Sequence, residues 1–393
     1  MRSRRTRLSL VLLSLLCLTG CWDRVEINDT AFILTTAVDV EQDDKIRYSV
    51  LLPLPGNMGG ASGGGGGTAG TKSYYIDSEV GTTFREAQAR LQRRMSRRMF
   101  FAHRRTLLIG EDYAKQGIRN LFDTTPRSPE SRMTIYMVVT KGKAYKLLQA
   151  TPQFERFPSE AIRELVKARN VIPINMKQIA LSLSSPGSDA VTVYMGVKES
   201  EKNSKNTKKS KEIEFLGYAQ FREDKMTGVF ENAEASGLAW LKDMPVQAIA
   251  TVKIEDRYTI TLNIFDSKCQ IRTHTSRGKL RFDIRTEAKA KATEVLGMYD
   301  LSQTGKVQKV EEAMNRYIEQ AMRKAIRKMI GNRTDSAQFG SYLWREHPGL
   351  WEKKYASRWP AGMKDAEYRI QVKSVLTETG LIYENVTKAE RTR

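Results

Sequence analysis

The sequence predicts an α+β fold, with mixed or antiparallel sheets packed against helices in two to three domains behind an N-terminal lipoprotein signal peptide. Three observations predict it. Residues 246–254, 258–264 and 280–284 alternate apolar and polar with period two, which reads as antiparallel strands with one wet face. A stretch at about 305–330 carries Val307, Val310, Met314, Tyr317, Ala321, Ala325 and Met329 on one helical face, and such a face must lie across a sheet to be buried. In the first half, strand-like runs and shorter amphipathic stretches are interspersed.

At the N-terminus, Arg2, Arg4, Arg5 and Arg7 precede an apolar core of eleven residues, Leu8–Leu18. A signal core needs roughly 7–15 apolar residues and a membrane span about 20, so this segment fits an export signal. It ends in Leu18-Thr19-Gly20-Cys21. Small residues at 19 and 20 let an extended chain enter a narrow peptidase cleft, and the Cys21 thiolate can take up a lipid as a thioether. The expectation is cleavage between Gly20 and Cys21, with Cys21 as the lipid attachment point. Two acyl chains, at about 0.8 kcal/mol per buried methylene, anchor stably where one does not. The mature body would then sit on the outer face of a membrane.

Removing residues 1–20 from 393 leaves 373, enough for two or three domains. The formal charge is +20, and taking away the four signal arginines leaves +16. For a chain tethered outside the cytoplasm, the acidic neighbour this implies is an anionic lipid surface, where each basic residue contributes on the order of 1 kcal/mol. The helical stretch at 82–102 clusters arginines but lacks the interleaved aromatic rings that stack on bases, so no nucleic-acid partner is expected. Cys17 leaves with the signal and Cys21 carries lipid, so Cys269 is left without a disulfide partner. It reads as an inert, half-buried strand residue.

The elements follow in order. Residues 31–40 and 45–54 read as two strands around the polar turn "EQDD". "GNMGGASGGGGGTAG", residues 56–70, is flexible coil by composition. Its Gly65-x-Gly67-x-x-Gly70 matches a dinucleotide pattern, but a β-rich segment follows instead of a helix, and Thr71 separates Gly70 from Lys72, so nucleotide binding is not supported. Residues 82–102 read as a helix with Phe84, Ala87, Leu91, Met95, Met99 and Ala102 on one face. Its arginines lie on the other faces, with Arg94 and Arg98 snorkelling from the edge of the stripe toward solvent or headgroups. "RTLLIG" is a strand, "EDYAKQGIRNLFD" a short helix, "RMTIYMVVT" a strand and "SEAIRELVKARN" a helix. The run "ESEKNSKNTKKSKE", residues 199–212, has five lysines and no apolar residue, so it is a linker or exposed loop. It divides an N-terminal α+β region, 21–198, which has room for two subdomains, from a C-terminal α+β domain, 213–393. Beyond it, "IEFLGYAQFREDKMTGVF" is a hairpin turning at "REDK". Gly331 is placed to cap the long helix.

The residues offer no catalytic constellation. His103, His274 and His347 are scattered without ligand spacing, and a single free cysteine makes no zinc framework. G-x-S-x-G and HExxH are absent, and no carboxylate pair stands out. No enzyme, metal or cofactor is expected. His103, at a helix-to-strand junction, reads as a packing or capping residue. The sequons at Asn332 and Asn385 are chance matches.

Several blocks resemble one family in order. "GCWDRVEIND" is similar to the start of the mature C subunits of the germinant receptors of endospore-forming bacteria. "FFAHRRTLLIGEDYAKQGI", with His103, Gly110, Ala114 and Gly117, resembles their helix-to-strand block, and "MVVTKGKAYKLL" the next strand-to-helix step. "FLGYAQFREDKMTGVFENAEASGLAWL" is similar to their C-terminal hairpin, and "YLWREHPGLWEKKYASRWP" to a late Pro-x-x-Trp segment, here Pro348 and Trp351. "TTAVDV" departs from the pattern in lacking a glycine before its aspartate. The resemblance implies a lipoprotein of the spore inner membrane that senses nutrients with membrane A and B subunits, without catalysis, built of three α+β units. It carries over one functional residue, Cys21, and no ligand-binding residue. A solute-binding lipoprotein that delivers a nutrient to a membrane partner is the alternative, and it would need a pocket between lobes with convergent polar groups.

Overall fold

The computed structural model describes residues 26–54, 73–201, 209–276, 279–297 and 299–380. The export signal, Gly20, Cys21, the glycine-rich run 56–70 and the Asn385 sequon lie outside the described residues. The fold is α+β, and no described helix is long and apolar enough to cross a membrane.

The expected first strand is two, β1 (Thr30–Phe32) and β2 (Thr35–Val40), and β3 (Ile46–Pro53) returns beside β2 after Asp43 and Asp44 turn the chain with positive φ. β4 (Tyr74–Gly81) completes an antiparallel edge. α1 (Phe84–Gln92) is shorter than the period-based 82–102. The Gln92 side chain donates to the Arg97 carbonyl at 2.9 Å and accepts from the Met99 amide at 2.9 Å, which turns the chain out of the helix. Met99 then lies on β5 (Arg98–Phe100), paired in parallel with β1. His103 packs its ring against Phe32 and Phe100, with centroids 5.3 and 6.0 Å away.

Three arginines of this region are matched by acids within the protein. Arg90 pairs with Glu86, Arg94 with Asp77 and Glu79, and Arg98 with Glu130. The expected headgroup-facing role therefore does not rest on these three side chains.

β6 (Thr106–Gly110) lies parallel to β2, and β7 (Tyr136–Thr140) and β8 (Val191–Glu199) continue in parallel beyond it. These inner strands are apolar on both faces, as covered parallel strands are. The helix expected at 111–123 is broken into α2 (Glu111–Gln116) and α3 (Arg119–Thr124) by Gly117, whose φ of 139° no other residue adopts readily. Three helices follow β7: α4 (Ala144–Leu148), α5 (Pro158–Val166) and α6 (Met176–Ser184). The start of α4 is held by Asp39 of β2, whose buried carboxylate accepts from the amides of Ala144 and Tyr145 at 2.6 and 2.9 Å.

The lysine-rich run joins two paired strands. β8 ends at Glu199, which faces Lys211 at the start of β9 (Lys211–Arg222), and β10 (Lys225–Phe230) follows the "REDK" turn. The result is one eight-stranded sheet, in the order β10-β9-β8-β7-β6-β2-β3-β4, which takes in the first two strands beyond the run.

After α7 (Asn232–Leu241) comes a second, four-stranded sheet. β11 (Ala248–Ile254), β12 (Tyr258–Ser276) and β13 (Lys279–Leu296) are antiparallel, and their buried and exposed residues alternate as expected. β12 and β13 run well past the alternating cores at 258–264 and 280–284. α8 (Thr304–Asn332) lies across this sheet and buries Val310, Met314, Ile318, Ala321, Ala325 and Met329. Gly331 is inside this helix. The cap is Arg333, with φ 52°, and the turn formed there leads into α9 (Phe339–Glu346). β14 (Glu367–Glu378) pairs in parallel with β13, and Ser374 and Leu376 on it bond Asn315 and Glu311 of α8.

Candidate functional site

The two halves meet where the start of β8 lies against the turn between α8 and α9. Asp189, two residues before β8, donates its amide to the Asp335 carbonyl at 3.0 Å. In return the Asp335 amide donates to Asp189 Oδ2 at 2.7 Å. Asp335 is fully buried, and its carboxylate accepts three bonds: from the amides of Phe339 and Gly340 at 2.8 and 2.6 Å, and from Trp359 Nε1 at 2.8 Å. It therefore holds the start of α9 and the Trp359 indole at one point.

Around this clasp, Arg222 of β9 reaches Asp189 Oδ1 at 3.2 Å. Gln220 donates to Thr334 Oγ1 and accepts from Asn332 Nδ2 at 2.6 Å. The sequon asparagine is thus part of the seam. Gly187 and Gly340 sit back to back, where a Cβ on Gly340 would lie 2.6 Å from Gly187 Cα. No side chain larger than hydrogen fits between these backbones.

Burial dominates the electrostatics. Desolvation pushes the Asp335 carboxyl up to about 7, against the pull of its three donors and with a further push from the Asp189 charge. Asp189 is raised as well, by desolvation first, with the Asp335 amide and Arg222 opposing. The Lys242 amine, which donates to the Ser336 carbonyl at 3.2 Å, is lowered to about 8 by desolvation.

Beside the clasp opens a cavity of about 500 Å³. Trp351 and Trp359, Leu183, the 184–189 turn, and Arg119, Arg222 and Asp224 line it. The buried Ser188 hydroxyl of that turn has no hydrogen-bond partner. A concave, partly aromatic space with a few polar groups is the form a small-molecule site takes.

Of the residues singled out from sequence, Trp351 and Asn332 lie here, while the cysteine and the histidines do not. Cys269 is buried on β12 rather than half-buried, its Sγ contacting Thr286 Oγ1 at 3.6 Å, and desolvation raises its thiol to about 11. His274 Nε2 lies 3.0 Å from Asp283 Oδ2 on the outside of the second sheet, and His347 ends α9. Among the described residues no group of three or more His, Cys, Asp or Glu side chains is placed to hold a metal ion. The late tryptophan segment was visible in the sequence through Trp351. Asp189 and Arg222 carry no local signal, because their partners lie far along the chain; Asp335 bonds nearby amides of α9, but its link to Asp189 is equally distant.

Residues 23–197 match the model of the spore germination protein N-terminal domain, and residues 216–380 that of the spore germination B3/GerAC-like C-terminal domain. The chain belongs to the GerAC family of spore germination proteins. Among relatives of this family, the putative spore germination protein YfkR of Bacillus subtilis is 30% identical, over 98% of this chain and 100% of its own. Spore germination protein KC of the same organism is 25% identical over 95% of each chain. The crystal structure of the GerBC protein superposes with a TM-score of 0.55 over 87% of this chain and 96% of that one. At 15% identity, that likeness shows the GerAC-family fold.

Proposed function

We propose that this chain is the lipid-anchored, non-catalytic C subunit of a nutrient germinant receptor, acting with membrane A and B subunits to trigger spore germination. The observation that carries the reading is the match of both halves to spore germination family models in the order of one full-length relative. The Leu18–Cys21 motif supports an anchor on the outer face of the cell membrane, which becomes the spore inner membrane. A net charge of +16 beyond the signal supports an anionic lipid surface as neighbour. The hydrogen-bonded seam suits a subunit that presents both halves to its partners as one body.

Deletion of the gene is expected to abolish the response to particular nutrients while germination by non-nutrient triggers persists. Unchanged nutrient germination in a strain without paralogous receptors overturns the reading. Co-purification with the A and B subunits tests the partners directly.

The cavity of about 500 Å³ favours a second reading, in which the chain binds a nutrient and delivers it. Calorimetry of the purified chain against amino acids and sugars separates the two. Heat that disappears in a Trp351→Ala variant would favour delivery.

A further inference from the structure

The chain enters the fold at one end of the eight-stranded sheet. β2, β6, β7 and β8 run in parallel away from that end, with Ala37, Leu108, Val138 and Val193 in one row. Thr30, at the start of β1, lies before this row and opposite Arg98 of β5. Val197 lies on β8 beyond the row. At about 3.3 Å per residue, the two ends are on the order of 30 Å apart.

From Cys21 to Glu26, the first described residue, the chain makes five residue steps, which span at most about 18 Å. Lipid on Cys21 therefore keeps the entry end closer to the bilayer than the far end of the sheet. Cations gather at this end. Arg105 donates its amide to the Leu34 carbonyl at 2.8 Å, and its own carbonyl accepts from the Tyr136 amide at 2.9 Å. The Glu130 carboxylate pairs with Arg98 at 3.2 Å and accepts from the Phe101 amide at 3.4 Å, which sets the segment bearing Arg132 beside β5. Lys177 donates its amide to the Met133 carbonyl at 2.9 Å. Arg97, Arg98, Arg105, Arg132 and Lys177 thus outnumber the acids here, Glu26, Asp29 and Glu130.

Arg105, Arg132 and Lys177 are exposed and Arg97 is half-buried, and none of these four side chains makes an ion pair or hydrogen bond among the described residues. Ile27, at the entry itself, is 76% exposed. Free cations suit lipid phosphates, and an exposed aliphatic side chain gains by leaving water for the interface. We propose that the β1–β5 end of the sheet lies on the bilayer, with anionic phospholipid headgroups on Arg97, Arg105, Arg132 and Lys177 and Ile27 in the interface. The inference rests on the lipid anchor at Cys21 and adds a fixed orientation to it. The strands β2 and β6 stand away from the membrane, and the far ends of β8 and β9 point outward.

The test uses the full lipidated chain in vesicles of phosphatidylglycerol and phosphatidylcholine. A fluorescent thiol label is placed on the exposed Thr134→Cys, near Arg132, or on Val197→Cys at the far end. Cys269 is buried and Cys21 carries its lipid, so the new thiol takes the label. Phospholipid with a nitroxide on its headgroup is expected to quench the label at 134 and leave that at 197 bright. Arg97→Gln combined with Arg105→Gln is expected to lower the ratio of docked to free chain on the order of 25-fold, about fivefold for each arginine. Added salt, or phosphatidylcholine alone, acts in the same direction. A floating chain whose labels at 134 and 197 are equally bright or equally quenched overturns the face. So does quenching at 134 that ignores both the arginines and the headgroup charge. Quenching that appears only once membrane A and B subunits are added also overturns it, because the occupant is then a protein. A chain that fails to float with the vesicles overturns the anchor instead, so the two failures are told apart.

Discussion

Asp189 and Asp335 are two buried carboxylates joined across the seam, with the Asp335 amide donating to Asp189 Oδ2 at 2.7 Å. Both are pushed up by desolvation, Asp335 to about 7. An acid whose folded pKa exceeds its unfolded value of 3.8 binds its proton more tightly when folded. Its contribution to stability is therefore fully present below about pH 4 and is lost as pH rises through about 7. At about 1.4 kcal/mol per unit, the seam is weakened by a few kcal/mol at most between these limits. The thermal midpoint is expected to fall between about pH 5 and pH 8, and Asp335→Asn to flatten that slope. Trp359→Phe removes a donor that holds the Asp335 pKa down and should move the fall to higher pH. Equal slopes in the wild-type and Asp335→Asn chains would show that the pair does not titrate in this range.

Gly340 sets how closely the halves approach. A Cβ there would lie 2.5 Å from Trp359 Nε1 and 2.6 Å from Gly187 Cα, both inside any real carbon contact. Overpacking of this kind costs roughly 1–3 kcal/mol, so Gly340→Ala should lower the thermal midpoint by roughly 3–10 °C. Gly349 is the control, because a Cβ there meets nothing within 4 Å. Gly349→Ala is expected to be nearly neutral in the same melt.

Much of the second sheet was legible because its order is local. On β11 a residue's face follows from its neighbours' chemistry, and Ala250, Val252 and Ile254 are buried at every second position. The stripe of α8 was legible for the same reason. Periodicity misled at α1, where Met95 and Met99 continue the helical spacing, yet Met99 is buried as a strand residue opposite Ala31. Hydrophobicity marks burial without saying which backbone buries it. The seam was not legible at all. Asp335 finds its carboxylate partner 146 residues earlier in the chain, and a lone aspartate after a helix looks the same whether it faces water or another carboxylate.

Asp39 joins the middle of the first sheet to the helix after β7. The residue is 1% exposed, and its carboxylate accepts from the Ala144 and Tyr145 amides. Gly110 lies so close that a Cβ there would be 2.1 Å from Asp39 Oδ1. Asp39→Ala leaves both amides unsatisfied, which costs roughly 1–3 kcal/mol, or more for a charge-assisted pair. A lowered urea midpoint with an unchanged m-value is the expected result. An unchanged midpoint would mean that water replaces the carboxylate at no cost.

Thiol counting tests the buried cysteine and the anchor together. The chain has three cysteines. Cys269 is buried with its thiol raised to about 11, so near neutral pH it is both shielded and protonated, and the thiolate is the reactive form. The native membrane-extracted protein is therefore expected to give no reaction with a thiol reagent. After denaturation the count depends on processing. If Cys17 leaves with the signal and the Cys21 sulfur carries a thioether, Cys269 alone reacts. A precursor that is neither cleaved nor modified gives three. Two arises from cleavage without lipid, which would make the anchor on Cys21 wrong, or from lipid without cleavage, and the mass of the chain separates the two cases. A Cys21→Ala chain supplies the complementary measurement, since it should leave the membrane in a carbonate wash that the wild type survives. If it stays, the basic body itself holds the bilayer, and the attraction should then weaken steeply with added salt.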